Sequence, residues 1–394
     1  MIIEFDALQT VGLGVLAYLL GAKIKEKIRF FQKFFIPSPV IGGLIFSILV
    51  FILKKYQIME INFDTYLQDF FMNMFFTCIG FTCSFKILKK SGFLGLKLAI
   101  SIILFLFVQD FIGVGLASHL GINKLLGVAM GSVSMTGGIG SALSFGPIME
   151  GYGAKIATEI GVAAATFGLM MGSLVGGPVA NVLIRKYSLK PKFSDKDFVK
   201  KVKDALVLDQ KSLMTTSFLI LLAAFLGTYI NKLLLLTGLN FPYYVGCQFG
   251  GLVVRNICDI KNSKKLRMDE VNILGNISLA LFLSIALISL NIEKIAALAL
   301  PMLVIMGGQA IAMALWARFV TFNLSNKDYD AAVIAAGHCG VGLGQTPNAM
   351  ANMAAVIEEN GPAPIAMFVF PIVLAIAVNL TNPLIITFFI NTFR

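Results

Sequence analysis

The chain has 394 residues, of which 57% are hydrophobic and 13% are charged, and its mean hydropathy is +0.85. Soluble domains carry about 25% charged residues, so this composition excludes an ordinary soluble protein and indicates an integral membrane protein. The net charge of +11 does not indicate a nucleic-acid partner, because the lysines and arginines fall in a few connecting segments, a bias typical of cytoplasmic loops.

Ten apolar segments predict membrane-spanning helices. Most approach the 20 residues that a helix needs to cross the bilayer, which excludes an outer-membrane barrel of short strands. The segments lie at about residues 8–22, 36–53, 67–85, 93–118, 156–184, 213–235, 241–258, 271–290, 294–322 and 363–391. Acidic Glu4 and Asp6 stand where a signal peptide has basic residues, so we expect the first span to stay in the mature protein.

Basic residues follow the odd-numbered spans, for example at Lys25, Lys89, Arg185, Arg255 and Arg318. Because cytoplasmic loops carry the excess of lysine and arginine, this pattern predicts that both termini lie outside the cytoplasm. The assignment requires the glycine-rich segments 125–148 and 331–357 to return to the side from which they enter. We therefore predict two re-entrant hairpins, the first entering from outside and the second from the cytoplasm.

The two halves of the chain resemble each other, as Gln109 in span four and Gln309 in span nine illustrate. Since each half has an odd number of crossings, we predict two repeats of opposite orientation, residues 1–184 and 213–394, joined by a cytoplasmic linker at 185–212. Ser194 can cap an amphipathic helix in this linker, although the linker can equally be a simple tether. We expect Gln109 and Gln309 to form hydrogen bonds across the helix bundle rather than to bind substrate.

The fold class expected is therefore an all-α membrane protein with five transmembrane helices and one hairpin in each inverted repeat. Inverted repeats with interrupted helices are typical of secondary transporters, which bind their ligand near the middle of the membrane. An interrupted helix exposes N–H groups at one end and carbonyls at the other, so it can bind an anion beside a small cation. The predicted substrate-binding residues are Thr136, Gly137, Gly138, Gly140, Ser141, His338, Gly340, Gly342, Gly344, Gln345, Thr346 and Asn348.

Polar residues near these runs are candidates for a sodium site. Ionisable groups inside a span are costly and are by default functional, although Asp110 and Glu159 can also have structural roles. His338 can donate to a carboxylate, change its charge near neutral pH, or cap a broken helix. The predicted sodium-binding residues are Ser134, Asp110, Glu159, Thr166, Asn181, Asn379 and Asn382.

Enzymatic functions find little support in the sequence. Tyr329-Asp330 with the following glycines is faintly similar to an intramembrane aspartyl protease, but Gln345 stands where the second acid is required. No phosphate-binding loop is evident, so we expect an ion gradient to drive transport, with Na⁺ as the coupling ion and no other cofactor. The five cysteines lie in or beside predicted spans, which makes a disulfide framework improbable.

The chain resembles the glutamate:sodium symporter (ESS) family from end to end. The similar stretches include residues 36–44, 157–168, 176–180, 274–279 and 299–303, and the most specific runs from Ala335 to Met353. The resemblance implies Na⁺-coupled uptake of L-glutamate across the bacterial inner membrane, a homodimer, and an elevator-like movement of a transport domain past a fixed scaffold.

One position departs from the family pattern. The first tip of family members commonly reads Gly-Gly-His-Gly-Thr, whereas this chain has Ile139 in place of the histidine. The substitution removes a hydrogen-bond donor, so another dicarboxylate or acidic amino acid is the alternative substrate. A non-transporting channel or receptor with the same repeats is the alternative from a different functional class.

Overall fold

The computed structural model describes residues 2–192, 209–239, 241–261, 266–290 and 298–394. Two short strands, β1 (Ile2–Phe5) and β2 (Glu60–Phe63), accompany eighteen α-helices in these ranges. The first nine helices are α1 (Ala7–Lys27), α2 (Arg29–Lys33), α3 (Ser38–Lys55), α4 (Tyr66–Thr82), α5 (Phe85–Leu88), α6 (Gly92–His119), α7 (Lys124–Ala129), α8 (Gly138–Gly151) and α9 (Ala157–Tyr187). The others are α10 (Gln210–Leu235), α11 (Tyr243–Ile260), α12 (Met268–Ile288), α13 (Ala299–Trp316), α14 (Phe322–Leu324), α15 (Tyr329–Leu343), α16 (Thr346–Asn360), α17 (Pro364–Ala377) and α18 (Thr381–Phe393).

The predicted spans fall on α1, α3, α4, α6, α9, α10, α11, α12, α13 and the pair α17–α18. In the described part of the chain, eight helical runs are long and apolar enough to cross a membrane, one of them joining α4 to α6. The protein is thus an α-helical membrane protein, as predicted. The linker helix expected after Ser194 and the first residues of span nine lie outside the described residues.

Span ten is interrupted, which the sequence analysis did not predict. Helix α17 ends at Ala377 and α18 begins at Thr381. Pro383 lacks an N–H group and its ring excludes the carbonyl four residues earlier, which belongs to Asn379. The Gln248 side chain on α11 donates a hydrogen bond to that carbonyl, so the interruption leaves no unpaired backbone oxygen at this position.

The strands were also not predicted. Strand β1 pairs in parallel with β2, with Ile2 opposite Glu60 and Phe5 opposite Phe63. The Phe5 and Phe63 rings stack with centroids 6.0 Å apart. Asp6 then starts α1 with a reciprocal capping box, since its side chain accepts from the Gln9 N–H and the Gln9 side chain accepts from the Asp6 N–H. The strands mark one end of the helices, which we call the strand face.

The long helices form two bundles that each draw on both halves of the chain. The flanking bundle contains α1, α3, α4, α10, α11 and α12, and the hairpin bundle contains α6 to α9, α13 and α15 to α18. Contacts between the bundles are few and run mainly through α8, α12 and α17. The spatial bundles therefore cut across the two sequence halves.

Helix directions follow from the residues in contact. Gly21 of α1 approaches Ser38 of α3, so the end of α1 lies beside the start of α3, on the face opposite the strands. This opposite face, the basic face, carries most of the lysines and arginines at helix ends, including Lys27, Lys89 and Arg185. The C-terminal Arg394 lies against Tyr152 at the other end of the molecule, toward the strand face.

Glycines let α1 and α3 pack backbone to backbone, which generates a stability prediction. A methyl group on Gly21 would overlap the Ser38 carbonyl oxygen, whereas one on the exposed Gly12 of the same helix meets no atom within 4 Å. We expect Gly21→Ala to lower the stability by about 1–3 kcal/mol through overpacking. Gly12→Ala should raise it by up to about 1 kcal/mol, because alanine favours the helix. Thermal unfolding of the detergent-solubilised variants checks both signs; equal effects would contradict the packing.

Candidate functional site

The second glycine-rich run forms one arm of a helical hairpin. Helices α15 and α16 pack antiparallel and are joined at Gly344 and Gln345. A methyl group on Gly340 would lie 2.6 Å from the Ala349 Cα, so glycine permits this close approach. At the base of the hairpin, Tyr329 Oη donates to the Gly361 carbonyl at 2.6 Å. The chain thus reverses at Gly344-Gln345, and most of the glycine run is helical rather than broken.

The first run forms a reversal of different construction. Short α7 runs antiparallel to α6, because Gly127 contacts Gly113 and Ser132 contacts Asp110. Helix α8 then runs antiparallel to α9, with Gly146 against Thr158. Since α6 and α9 are themselves antiparallel, α7 and α8 run in opposite directions. Successive turns at residues 130–137 carry out the reversal.

The two reversals point toward each other. Helix α15 runs parallel to α6, as shown by Gln109 beside Gly342 and Phe105 beside His338. The hairpin α15–α16 therefore opens toward the basic face, and the pair α7–α8 opens toward the strand face. At their tips, Gly138 has a φ of +72°, which glycine adopts without strain, and an added Cβ would lie 2.6 Å from Gln345 Nε2.

One buried side chain joins both tips. Gln109 Nε2 donates to the Gly342 carbonyl at 2.6 Å, and Gln109 Oε1 accepts from Thr136 Oγ1 at 2.6 Å. Gln309 Nε2 of α13 donates to the Gln109 carbonyl at 2.7 Å, so both glutamines form hydrogen bonds across the bundle, as predicted. Gln109, Thr136 and Gln309 are at most 5% exposed, and Gly342 is buried as well. The tip geometry thus depends on the amide of Gln109.

A cavity of about 470 Å³ lies between the tips and the flanking bundle. The hairpin bundle contributes residues of both tips and of α17, and the flanking bundle contributes residues of α4 and α12. Six predicted substrate residues line it, together with Asn379 from the predicted sodium set. Those six are Thr136, Gly137, Gly140, Ser141, Gln345 and Thr346.

Asn272 and Asn276 of α12 also line the cavity and were missed by the sequence analysis, which searched the glycine-rich runs and spans four, five and ten. Both are amides within an apolar span, and a search for uncharged polar residues in spans would have found them. Thr82 of α4 is a third missed polar residue of the lining. The flanking bundle therefore supplies polar groups that the glycine pattern cannot reveal.

Several predicted substrate residues lie away from the cavity lining. His338 is 1% exposed; its Nδ1 lies 2.7 Å from Thr321 Oγ1 and its ring packs edge-on against Phe105. Asn348 Nδ2 donates to the Leu169 carbonyl at 2.7 Å on α9. These two side chains hold α15 and α16 to their neighbours, so the structure assigns them packing contacts where we predicted ligand contacts.

The predicted glycines divide in the same way. A methyl group on Gly342 would overlap Met313, and one on Gly344 would approach the Gly340 carbonyl and the Asn348 side chain. With Gly340, these glycines serve helix packing inside the hairpin, whereas we predicted that they bring the backbone close to substrate. The physical reason is that α15 stays helical up to Leu343, so the N–H groups of Gly340 and Gly342 are committed to the helix, while the Gly342 carbonyl accepts from Gln109.

The predicted sodium residues also separate into groups. Asp110, Ser134 and Asn382 lie around the turns of the first tip, where Asp110 and Asn382 both bond to Ser132. Ser134 Oγ donates to the carbonyls of Ala129 and Gly161.

The remaining candidates are dispersed. Thr166 Oγ1 donates to the Val162 carbonyl of its own helix, and Asn181 Nδ2 lies 3.4 Å from Glu359 Oε2 near the basic face. Glu159 is in the first turn of α9, at the end near the strand face. The structure thus brings Asp110, Ser134 and Asn382 together at the first tip, whereas Thr166 and Asn181 form hydrogen bonds elsewhere.

Backbone groups, rather than charged side chains, determine the electrostatics of the cavity. No Lys, Arg, His, Asp or Glu lines it among the described residues. Helices α8 and α16 both begin at the tips without a side-chain cap, and each spans at least fourteen residues. Uncapped N–H groups and the positive end of the helix dipole favour an anion at each start. The site can therefore bind negatively charged groups without a basic side chain.

Interrupted helices facing each other across a cavity define an α-helical membrane transporter as the class of this protein. A family model described as sodium/glutamate symporter matches residues 3–362. The sodium/glutamate symporter of Escherichia coli is 38% identical over 392 residues, covering 98% of each chain. That of Haemophilus influenzae is 36% identical over 387 residues, 96% of this chain and 95% of the relative. The chain belongs to the sodium/glutamate symporter family.

A solved structure is also similar over most of the chain. The sodium proton antiporter from Methanocaldococcus jannaschii shares 15% identity, covers 98% of this chain and 96% of its own, and gives a TM-score of 0.45. This likeness is too weak to define the fold.

The bonds of Gln109 generate a prediction for the tips. Gln109→Leu should loosen both tips, because each lost buried hydrogen bond leaves an unpaired group at a cost of about 1–3 kcal/mol. We expect amide hydrogen exchange to accelerate about tenfold or more at residues 131–140 and 341–348. Thr136→Val should accelerate exchange at the first tip alone, and Thr136→Ser, which keeps the hydroxyl, should leave it near wild type. Unchanged exchange at both tips of Gln109→Leu would show that other contacts hold them.

Proposed function

We propose that the protein is a symporter that imports L-glutamate with Na⁺ across the bacterial inner membrane. The observation that carries this proposal is the meeting of two uncapped helix N-termini, from oppositely directed reversals, in one cavity whose described lining residues carry no charge. The names of the relatives supply the two solutes, glutamate and sodium. Because the chain belongs to the same family, we assign the same two solutes to it.

Glutamate fits the cavity by chemistry. Its two carboxylates can each occupy one helix start, near Ser141 on α8 and near Thr346 on α16. The ammonium group requires oxygen acceptors, and the amides of Asn272, Asn276 and Asn379 line the same cavity. The volume of about 470 Å³ lies within the range usual for small-molecule sites. A dicarboxylate without the ammonium group would leave these amides unused, and it is the alternative substrate class.

Placed in a bilayer, both reversals are re-entrant: α7–α8 enters from the strand face and α15–α16 from the basic face. The excess of lysine and arginine puts the basic face in the cytoplasm, so both termini lie outside. Residues 1–184 and 213–394 are then inverted repeats, and 185–212 is the cytoplasmic linker. The backbone at the tips stays hydrogen-bonded through Gln109 and Thr136, as membrane depth requires.

The two bundles suit an elevator mechanism in which the hairpin bundle moves and the flanking bundle stays fixed. Contacts between them are few, and the cavity lies at their boundary. Toward the basic face the lining continues to Thr82 and Asn272. On the other side the buried ring of Phe76 stacks on Tyr244, and the ring of Phe145 meets Tyr244 edge-on. We assign this arrangement to a state that faces the cytoplasm. The homodimer forms through the flanking bundle, since the moving bundle must stay free.

Uptake of labelled glutamate into proteoliposomes tests the function. With an inward Na⁺ gradient we expect accumulation above equilibrium, and with equal Na⁺ or with choline on both sides we expect none. Competition by aspartate, other amino acids and dicarboxylates identifies the substrate class.

Equal uptake with and without the Na⁺ gradient would show that uptake is not coupled to sodium. Unitary conductances in a planar bilayer would favour a channel, and saturable binding without uptake would favour a receptor.

A pair of isosteric variants tests binding at the helix starts. Ser141→Asp adds a negative charge at the start of α8 and should raise the glutamate KM about 100-fold or more, because adjacent like charges cost several kcal/mol. Ser141→Asn, of the same shape but neutral, should raise it less than about tenfold. Both are compared by uptake kinetics and by thermal unfolding. If both variants fold and have equal KM values, the substrate carboxylates do not bind at the start of α8.

A further inference from the structure

A buried carboxylate without a cationic partner lies beside the first tip. Asp110, in the apolar helix α6, is 0% exposed. Its Oδ1 accepts from the Ser132 N–H at 2.7 Å and its Oδ2 accepts from Ser132 Oγ at 2.8 Å. No salt bridge of the described residues involves it. A charged group in such surroundings is costly unless a counter-charge or a proton joins it.

An amide oxygen at the same place lacks a hydrogen-bond partner. Asn382, which follows the interruption between α17 and α18, is 2% exposed, and its Nδ2 donates to the Ser132 carbonyl at 3.2 Å. Its Oδ1 is buried and accepts no hydrogen bond in the described structure. Buried polar atoms are normally paired, so this oxygen is available to a ligand. Ser132 thus bridges the Asp110 carboxylate and an amide side chain with an unused oxygen.

We propose that Asp110, Asn382 and carbonyl oxygens of the turns at residues 130–137 form the site of the coupling Na⁺. The proposal rests on the proposed function. One carboxylate, one amide and backbone carbonyls make an oxygen-only set with a single negative charge, which suits a hard monovalent cation. Interrupted backbone at membrane depth provides such oxygens in other transporters. The two hydrogen bonds from Ser132 hold the Asp110 carboxylate against the turns that supply these oxygens.

The position of this site explains how the ion couples to glutamate. Asp110 is adjacent to Gln109, whose side chain holds Thr136 and the Gly342 carbonyl. The same turns that bond to Asp110 lead directly to Gly138 at the start of α8. An ion held there fixes those turns and the helix start that receives a carboxylate. Binding of either solute therefore makes binding of the other more favourable.

Thermal unfolding of the purified full-length protein without glutamate tests the site. Wild type should gain stability as NaCl replaces choline chloride at constant ionic strength, because a ligand of the folded state raises the unfolding temperature, whereas KCl should have little effect. Asp110→Asn should abolish the Na⁺-dependent gain and raise the Na⁺ concentration for half-maximal uptake by at least about tenfold. Asp209→Asn, which removes an exposed charge and keeps a helix cap, is the control and should behave as wild type.

Asn382→Ala and Ser132→Ala provide the result if Asp110→Asn does not fold. Each should weaken the Na⁺-dependent stabilisation, and Asn382→Ala should also raise the half-maximal Na⁺ concentration. Folded variants with the Na⁺ response of wild type would overturn the site, even if wild type shows coupled uptake. Absence of Na⁺-dependent glutamate uptake in wild type would instead overturn the proposed function.

Discussion

The side-chain amide of Gln109 is the interaction on which the site depends. Two chain reversals meet inside an apolar bundle, where neither water nor lipid can satisfy exposed backbone groups. One amide, with a donor and an acceptor, pairs with the Gly342 carbonyl of one tip and with Thr136 of the other. Gln309 fixes the main chain of Gln109 in turn. The helix starts at Gly138 and Thr346 are thereby left free for a ligand.

Prolines and glycines shape the surroundings of this core by two different effects. Pro383 frees the Asn379 carbonyl, which receives a hydrogen bond from Gln248 of the other bundle. Glycines such as Gly21 and Gly340 instead remove side chains where two backbones approach. The hydrogen bond from Gln248 crosses between the two bundles, where contacts are few, whereas the glycine contacts join helices of the same bundle. A rigid-body movement of one bundle past the other would therefore break few contacts.

Much of the fold could be predicted from the sequence, because length and hydropathy alone determine where an apolar helix crosses a bilayer. The expectation that Gln109 and Gln309 form hydrogen bonds across the bundle followed from their equivalent places in the two halves, and their bonds confirm it. The interruption at Asn379 was missed, since proline lowers helix stability without fixing whether a helix bends or breaks. Strand β1 was missed because four residues carry too little periodicity to be recognised.

The site was harder to predict than the fold. A sequence does not show whether a glycine makes room for a ligand or for a neighbouring helix. Gly340 and Gly342 were therefore grouped with Gly137 and Gly140, although their surroundings differ. The direction in which His338 and Asn348 point depends on helix rotation, which a single sequence does not specify. Asn272 and Asn276 belong to the other bundle, and only the tertiary structure brings them to the cavity.

The central claim is that two opposed helix starts hold the two carboxylates of one substrate. An experimental structure of the protein with glutamate and NaCl tests it most directly. The account predicts ligand density between the N-termini of α8 and α16, with one carboxylate within hydrogen-bond distance of the backbone N–H groups at each. Glutamate bound away from one or both helix starts, or held by a basic side chain, would contradict it.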